Sequence, residues 1–272
     1  MSIRHLFCRS ARSLTAAFGM AAVLVMASAN AEEAKNDAEP APMNAEEAQV
    51  DPEAARILKA MSDALAASEM LSGRATTLYE VVQPGGITHL REESILFFVR
   101  RPDALHVRTI NDEGVHRYFW YDGQKLSRLI DAESGRQYTQ IDVPDTLDAM
   151  LAYIADTYQQ NMPLADFLYA DPYGTFSEHL ISGAYLGERT VRGKPAHHLL
   201  FESYGVDFEV WIAAEGPPVP LRFAINYVTE PGEPLFLAEF EQWNLEAYLD
   251  PGMFGFTPPE GAEEVPAARR EE

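Results

Sequence analysis

The pattern of hydrophobic and polar positions divides the chain into two stretches of strands, with helices before and between them. From residue 73 to residue 143 the hydrophobic pattern has a period of two, and turn sequences such as Pro84-Gly85-Gly86 separate its successive runs. The same alternation resumes at about Ile181 and continues to Trp243. Alternation bounded by glycine, proline and acidic turn residues is typical of antiparallel strands. The sequence therefore predicts roughly ten antiparallel strands in two meanders.

Helical periodicity precedes the first meander. Asp51, Pro52 and Glu53 provide a capping acid, a proline in the first turn and a negative charge near the helix N-terminus. Apolar residues then follow at roughly helical spacing, and they are Ile57, Leu58, Met61, Leu65 and Met70. We expect this helix to end before Ser72.

A helical segment also separates the two meanders. Residues 145–160 place an apolar stripe on one helix face, made of Leu147, Met150, Leu151, Ile154 and Tyr158. Met162 and Pro163 break this helix and start a second short one, in which Leu164, Phe167 and Leu168 are apolar. A third helical turn is expected at residues 171–174.

The strands of the second meander have one apolar and one polar face. The apolar positions of one strand are Leu221, Phe223, Ile225 and Tyr227. Arg222 and Asn226 point the other way, and we expect Glu239, Glu241 and Trp243 to lie on the solvated side of a later strand. A sheet this long must curl or close. We therefore predict a mainly β fold with α-helices (α+β), in which a strongly curved antiparallel sheet, or unclosed β-barrel, has helices covering its concave face.

The first thirty-one residues have the layout of a secretory signal peptide. Arg4, Arg9 and Arg12 form a positive region, a short apolar run follows, and small residues end at Ala31. We predict general secretion to the periplasm with cleavage near Ala31, so that the mature chain is not an integral membrane protein. Residues 32–50 are predicted to be a disordered acidic Ala-Pro linker, residues 51–260 a single domain, and residues 261–272 a disordered tail.

Charge and cysteine content narrow the functional classes. The chain has 21 basic and 42 acidic residues, a net charge of −21. Removing three basic residues with the signal peptide would leave 18 basic residues and a net charge of −24. Such a chain is not drawn to nucleic acid by its net field. Cys8 is the single cysteine and lies in the signal peptide, so we expect no disulfide and no thiol nucleophile in the mature protein.

Several short motifs resemble a known family. Tyr121-Asp122-Gly123 and residues 163–168, with the surrounding order of elements, resemble the periplasmic LolA-like superfamily, which includes lipoprotein carriers and RseB-type envelope-stress regulators. A family of predicted periplasmic proteins within that group is a closer match. The motifs that carry this match are Asp171-Pro172-Tyr173, residues 183–187, residues 196–199 and residues 208–212. The resemblance covers residues 52–258.

The resemblance implies an unclosed β-barrel whose apolar concave face holds a ligand under helices. The candidate cavity residues are Leu147, Met150, Leu151, Ile154, Tyr158, Leu164, Phe167, Leu168, Phe223, Ile225 and Tyr227. Each single residue could instead be ordinary core, because an apolar stripe usually packs. The expected function is non-enzymatic binding of a lipid, acyl chain or other apolar ligand, or of a lipoprotein. The alternatives are an RseB-like regulatory module that binds a membrane-protein ectodomain and, third, an envelope hydrolase.

Candidate chemistry is sparse in this sequence. His197 and His198 are adjacent, and neighbours on a strand point to opposite faces, so they cannot both bind one metal ion unless the strand bulges. We expect one imidazole to be buried with a hydrogen bond and the other to be exposed. No Gly-x-Ser-x-Gly motif is present. We therefore predict no cofactor, no metal site and no catalytic residue. Of the aromatic residues at 118–121, two are expected to face the core.

Overall fold

The computed structural model describes residues 49–158 and 162–267. The predicted signal peptide, residues 32–48 of the predicted linker and residues 268–272 of the predicted tail lie outside the described residues. None of the described helices has the length and apolar composition that crossing a membrane requires.

The described residues form thirteen strands that belong to one sheet. The strands are β1 Gln49–Val50, β2 Met70–Val82, β3 Thr88–Arg100, β4 Ala104–Asn111, β5 His116–Tyr121, β6 Lys125–Ala132, β7 Gly135–Asp142, β8 Leu180–Val191, β9 Lys194–Ser203, β10 Val206–Ala213, β11 Pro220–Asn226, β12 Leu235–Asn244 and β13 Glu263–Glu264. Their order across the sheet is β1-β8-β9-β10-β11-β12-β2-β3-β4-β5-β6-β7-β13. Strands β2 to β12 pair antiparallel, as predicted, and β12 joins the second meander to the first through β2.

The two outermost strands correct the predicted domain limits. Gln49–Val50 pairs in parallel with β8, although we predicted these residues to be linker. Glu263–Glu264 pairs in parallel with β7, although we predicted them to be tail. Both strands are two residues long, too short for the alternation that identifies a strand in sequence. The sheet is therefore mixed at its edges, with thirteen strands rather than about ten.

The helices begin within a few residues of the predicted positions. They are α1 Pro52–Ala66, α2 Leu147–Tyr158 and α3 Pro172–Ser177, with 3-10 segments at Ala165–Phe167 and Pro251–Phe254. Asp51 caps α1 by accepting a hydrogen bond from the Glu53 amide at 2.8 Å. Met70, predicted to belong to this helix, instead begins β2, since α1 ends at Ala66.

The helices cover the inner face of the curved sheet in two groups. Helices α1 and α3 contact each other, and α1 contacts β8, β9 and β10. The face that α1 presents is fully buried, with Leu58, Met61 and Leu65 at 1% exposure or less. Helix α2 and the 3-10 segment at Ala165–Phe167 pack with the same core from the side of strands β2 to β5. The predicted architecture, an unclosed barrel with helices over the concave face, is confirmed.

The aromatic residues of β5 divide between the two sheet faces as predicted. Phe119 and Tyr121 face the concave side, where Tyr121 is completely buried. Tyr118 and Trp120 stack on the convex side with ring centroids 5.6 Å apart. Phe256, from the C-terminal segment, lies 4.9 Å from Trp120 and covers part of this convex face.

Candidate functional site

An apolar cavity of about 420 Å³ lies between the first meander and the helical segment. Small-molecule sites typically measure about 300–1,000 Å³, so this cavity has the size of a ligand site. Its lining residues come from strands β2 to β6, from α2 and the segment after it, and from β12 and the loop before it. They are Thr77, Tyr79, Glu80, Glu93, Ile95, Phe97, Leu105, Val107, Thr109, Phe119, Leu126, Met150, Leu151, Ile154, Met162, Pro163, Leu164, Ala165, Phe167, Leu168, Tyr227, Pro234, Leu235, Phe236, Phe240 and Trp243.

One wall of the cavity is a row of apolar side chains across adjacent strands. Phe97 on β3 pairs directly with Val107 on β4, and Val107 pairs with Phe119 on β5. Residues opposite each other in an antiparallel pair share a sheet face. Leu126 on β6 extends the same wall. The period-two pattern of the first meander therefore builds this surface directly.

The roof of the cavity is held by hydrogen bonds to the backbone around it. Arg101 Nη1 donates to the carbonyl oxygen of Leu168, and the Asp148 carboxylate accepts from the Ala170 amide at 3.1 Å. Tyr121 donates its hydroxyl proton to the carbonyl of Pro144, 2.8 Å away, just before α2 begins. These bonds fix α2 and the following turn to the sheet, so the cavity has a positioned roof.

A bulge in β12 turns towards the cavity a residue that the sequence pattern predicted to face solvent. The register with β2 shifts between Phe240 and Gln242, so Glu241 is extra and the alternation reverses after it. Trp243 consequently faces the cavity instead of solvent, and our prediction for this residue is wrong. Its ring lies 5.2 Å from Phe97 and 5.0 Å from Phe240, and its Nε1 donates to the Pro220 carbonyl at 2.8 Å.

The structure brings seven of the eleven predicted cavity residues to the cavity wall. These seven are Met150, Leu151, Ile154, Leu164, Phe167, Leu168 and Tyr227. Their contact with a ligand stays a prediction.

The other four predicted residues belong to packed regions beside the cavity. Phe223 and Ile225 lie on β11, and Phe223 packs edge-on against Phe167 at 5.0 Å. Leu147 is buried in the first turn of α2, where its amide donates to the Pro102 carbonyl at 2.7 Å. Tyr158, in the last turn, packs edge-on against Tyr153. None of the four lines the cavity in the described part of the chain.

Most of the strand residues in the cavity wall were not among the predicted cavity residues. Ile95, Phe97, Val107 and Phe119 all lie in runs whose alternation was recognised, and that alternation was the available signal. The alternation alone does not show which of these residues line a cavity, because that depends on which half of the concave face the helices leave unfilled. Tertiary packing decides this, because α1 and α3 fill the half formed by β8 to β10.

A small set of polar groups lies at one end of the otherwise apolar wall. Glu93 accepts a hydrogen bond from the Thr109 hydroxyl at 2.6 Å and forms an ion pair with Arg117 at 3.0 Å. Thr77 donates its hydroxyl proton to the Glu93 carbonyl at 3.2 Å. Burial raises the pKa of the neighbouring Tyr79 hydroxyl, with the Glu93 charge adding to the effect. A ligand in this cavity would meet apolar walls and one polar end.

A buried carboxyl group lies in the roof segment, between two residues that line the cavity. Asp166, in the 3-10 segment, is 4% exposed, and its Oδ1 has no hydrogen-bond partner among the described residues. Burial raises the pKa of Asp166 to about 7. The ordinary pKa of an aspartate is near 3.8, so this side chain exchanges a proton near neutral pH.

The adjacent histidines bind separate partners. His197 Nδ1 lies 2.9 Å from the Tyr185 hydroxyl, whereas His198 stacks on Trp211 at 4.2 Å and reaches Glu209 with Nε2. Both are partly buried, so the expectation of one buried and one exposed imidazole is wrong. Within residues 49–158 and 162–267, no group of three or more histidine, cysteine or acidic side chains is arranged to hold a metal ion.

Comparison with known families gives one extensive match. The model of a family described as "Predicted periplasmic protein (DUF2092)" matches residues 54–267. This range includes nearly all of the described sheet and every residue of the cavity wall. No curated protein matches the sequence significantly.

Solved structures with similar folds are distant in sequence. MucB is 16% identical, with a TM-score of 0.41 over 76% of this chain. The match covers 64% of the MucB chain. The lipoprotein LppX from Mycobacterium tuberculosis is 13% identical, with a TM-score of 0.42 over 74% of this chain and 100% of LppX. LprF from Mycobacterium bovis is 10% identical, with a TM-score of 0.41 over 74% of this chain and 98% of LprF.

Proposed function

The chain belongs to the DUF2092 family of predicted periplasmic proteins, and we propose that it is a non-enzymatic binding protein that holds an acyl chain or another apolar ligand in its cavity. The observation that carries the proposal is the cavity itself, about 420 Å³ of space beneath a hydrogen-bonded roof. Protein interiors are otherwise close-packed, with few voids larger than a water molecule. A space of this size indicates an occupant.

The chemistry of the wall selects an apolar occupant. Most of the lining side chains are aliphatic or aromatic, and Met150 and Met162 contribute flexible thioethers that adapt to irregular apolar shapes. Water gains little in such a space because it needs two to four polar partners. Burying a methylene group there stabilises the complex by about 0.8 kcal/mol. Binding therefore rests on chain length and shape.

The location agrees with the family's description of its members as predicted periplasmic proteins. A signal peptide cleaved near Ala31 stays a prediction, since residues 1–48 lie outside the described part of the chain. The absence of catalysis likewise stays part of the proposal. It is supported by the apolar character of the wall, where Glu93 is bound to Arg117 and Thr109.

A cavity-filling substitution tests the proposal. Leu126→Trp places an indole in the cavity from β6, where Leu126 is half-buried. We expect the affinity for 1-monopalmitoylglycerol, measured by isothermal titration calorimetry, to fall by about tenfold or more, which corresponds to about 1.4 kcal/mol.

The matched control introduces the same side chain on the outside of the sheet. Leu200 on β9 is 37% exposed, and Leu200→Trp should bind the lipid as the wild type does. Circular dichroism and thermal unfolding establish that both variants are folded. Wild-type affinity in folded Leu126→Trp would contradict the cavity assignment.

A further inference from the structure

Arg128 on β6 is a partly buried cation that has no counter-ion among the described residues. In the described part of the chain it forms no hydrogen bond or ion pair with another residue. The protein contains 42 acidic and only 21 basic residues, so carboxylates are plentiful. Partly buried charges are normally paired, because removing a charge from water is costly. An arginine without such a partner in so acidic a chain requires an explanation.

The strand geometry directs Arg128 towards the cavity. Leu126, two residues earlier on the same strand, lines the cavity, and residues i and i+2 of a strand share a face. The cross-strand partner of Arg128 on β5 is Phe119, another cavity residue. Arg128 therefore lies on the concave face, at the end of the apolar wall.

Arg128 adds a positive charge beside an ion pair on the neighbouring strands. Arg117 lies two residues before Phe119, on the same face, and pairs with Glu93 at 3.0 Å. Glu93 is thus already engaged, and Arg128 adds a second positive charge. Burial lowers the pKa of Arg128, and repulsion from Arg117 lowers it further. A second carboxylate of the wall, Glu80, accepts a hydrogen bond from the Leu235 amide at 2.9 Å.

We propose that Arg128 binds the anionic head group of a ligand whose apolar chain occupies the cavity. The ligand is then an acidic amphiphile with a carboxylate or phosphate head, and this inference rests on the proposed function. A guanidinium presents several donors in a planar fork that matches either head group. An anion at this position would compensate the charge of Arg128, which is unpaired among the described residues.

Two lipids that differ only in charge test the proposal. 1-Palmitoylglycerol 3-phosphate and 1-monopalmitoylglycerol share the same acyl chain and glycerol, and the first carries a phosphate. Calorimetry on the wild-type protein should show that the phosphate lipid binds about ten- to a hundredfold more tightly, as expected for a charge-assisted hydrogen-bonded pair. Arg128→Gln should remove this preference while leaving the affinity for the neutral lipid within about twofold of the wild type, since an uncharged head group makes no ion pair.

Arg136→Gln is the matched control, because Arg136 is exposed and pairs with Asp131 at 2.9 Å away from the cavity. If Arg128→Gln does not fold, Arg128→Lys serves instead. It keeps the charge but loses the planar fork, and it should retain a reduced preference for the phosphate lipid. An unchanged preference in folded Arg128→Gln would overturn the inference, as would an effect of equal size in Arg136→Gln.

The remaining outcomes separate this inference from the proposed function. If the wild type binds the two lipids equally well, the head-group site is refuted and apolar binding stands. If it binds neither lipid, both proposals fail. Inorganic phosphate alone is the third probe. Competition by phosphate at concentrations comparable to the lipid would indicate a free-anion site and overturn the assignment to an amphiphile.

Discussion

Gly73 on β2 determines where one wall of the cavity stands. It pairs with Phe97 on one side and with Trp243 on the other, and the two rings meet over it. A Cβ atom at Gly73 would lie 2.3 Å from Phe97 Cζ, whereas ordinary contacts begin at 3.4 Å. In Gly73→Ala the Phe97 ring must therefore move by about 1.1 Å, the difference between these two distances. Phe97 lines the cavity, so the ring can move into the cavity space.

The size of the effect follows from this displacement. Overpacking a well-packed site typically lowers the free energy of unfolding by about 1–3 kcal/mol. Replacing glycine by alanine offsets part of this loss, because it reduces the conformational entropy of the unfolded chain. We therefore expect the free energy of unfolding to fall by about 1–2 kcal/mol. A ring displaced into the cavity excludes roughly one or two methylene groups of a ligand. At about 0.8 kcal/mol for each, the affinity for 1-monopalmitoylglycerol should fall by about four- to fifteenfold.

Gly183 on β8 provides a matched control. A Cβ atom there would lie 2.6 Å from Phe201, the cross-strand partner, so the steric conflict is of the same kind. Phe201 packs on Phe208 in the filled half of the core and does not line the cavity. Gly183→Ala should therefore lose a similar amount of stability in urea unfolding and keep wild-type lipid affinity in calorimetry.

Stability and lipid affinity must be compared between Gly73→Ala and Gly183→Ala. If Gly73→Ala and Gly183→Ala lose stability alike and both keep wild-type affinity, the space beside Phe97 is not a ligand site. If both lose affinity in proportion to stability, lipid binding reports general destabilisation. A selective loss in Gly73→Ala is the result that the structure predicts.

Two further predictions concern other parts of the site. The free energy of unfolding should fall as pH rises from about 4 to about 7, because the folded state holds the Asp166 proton more tightly; the pKa difference between 3.8 and about 7 corresponds to about 4 kcal/mol in total. Between pH 5 and pH 8, urea unfolding should show a loss about 3 kcal/mol larger in the wild type than in Asp166→Asn, and parallel pH profiles would contradict it. Lipid binding should also change tryptophan emission, because Trp243 lines the cavity. Trp243→Phe should abolish this change. An unchanged emission response in Trp243→Phe, which keeps Trp120 and Trp211, would contradict the prediction.

Local periodicity predicted most of the secondary structure but not its tertiary consequences. The alternation in β2 to β12 and the capping acid at Asp51 depend on neighbours in sequence, and they led to the correct order of elements. Trp243 was assigned to the wrong face because one extra residue, Glu241, reverses the alternation. A bulge of this kind depends on pairing with β2, which the sequence of β12 alone does not contain.

The site was predicted in part for a similar reason. Met150 and Ile154 on α2 could be selected because an amphipathic helix exposes one apolar stripe. Phe223 has an equally apolar pattern but faces the half of the sheet that the helices fill. Arg128 was not among the predicted site residues, since an isolated arginine in a strand gives no sign in the sequence of whether it has a partner in three dimensions.

Native mass spectrometry of the protein purified from periplasm without detergent tests the central claim most directly, with organic extraction of any bound material. We predict a discrete adduct that extracts as lipid, and its loss or weakening in Leu126→Trp. A clean apo mass, with no uptake of added fatty acid or phospholipid by the folded protein, would contradict the account. That result would instead favour an interaction module that binds a membrane-protein ectodomain.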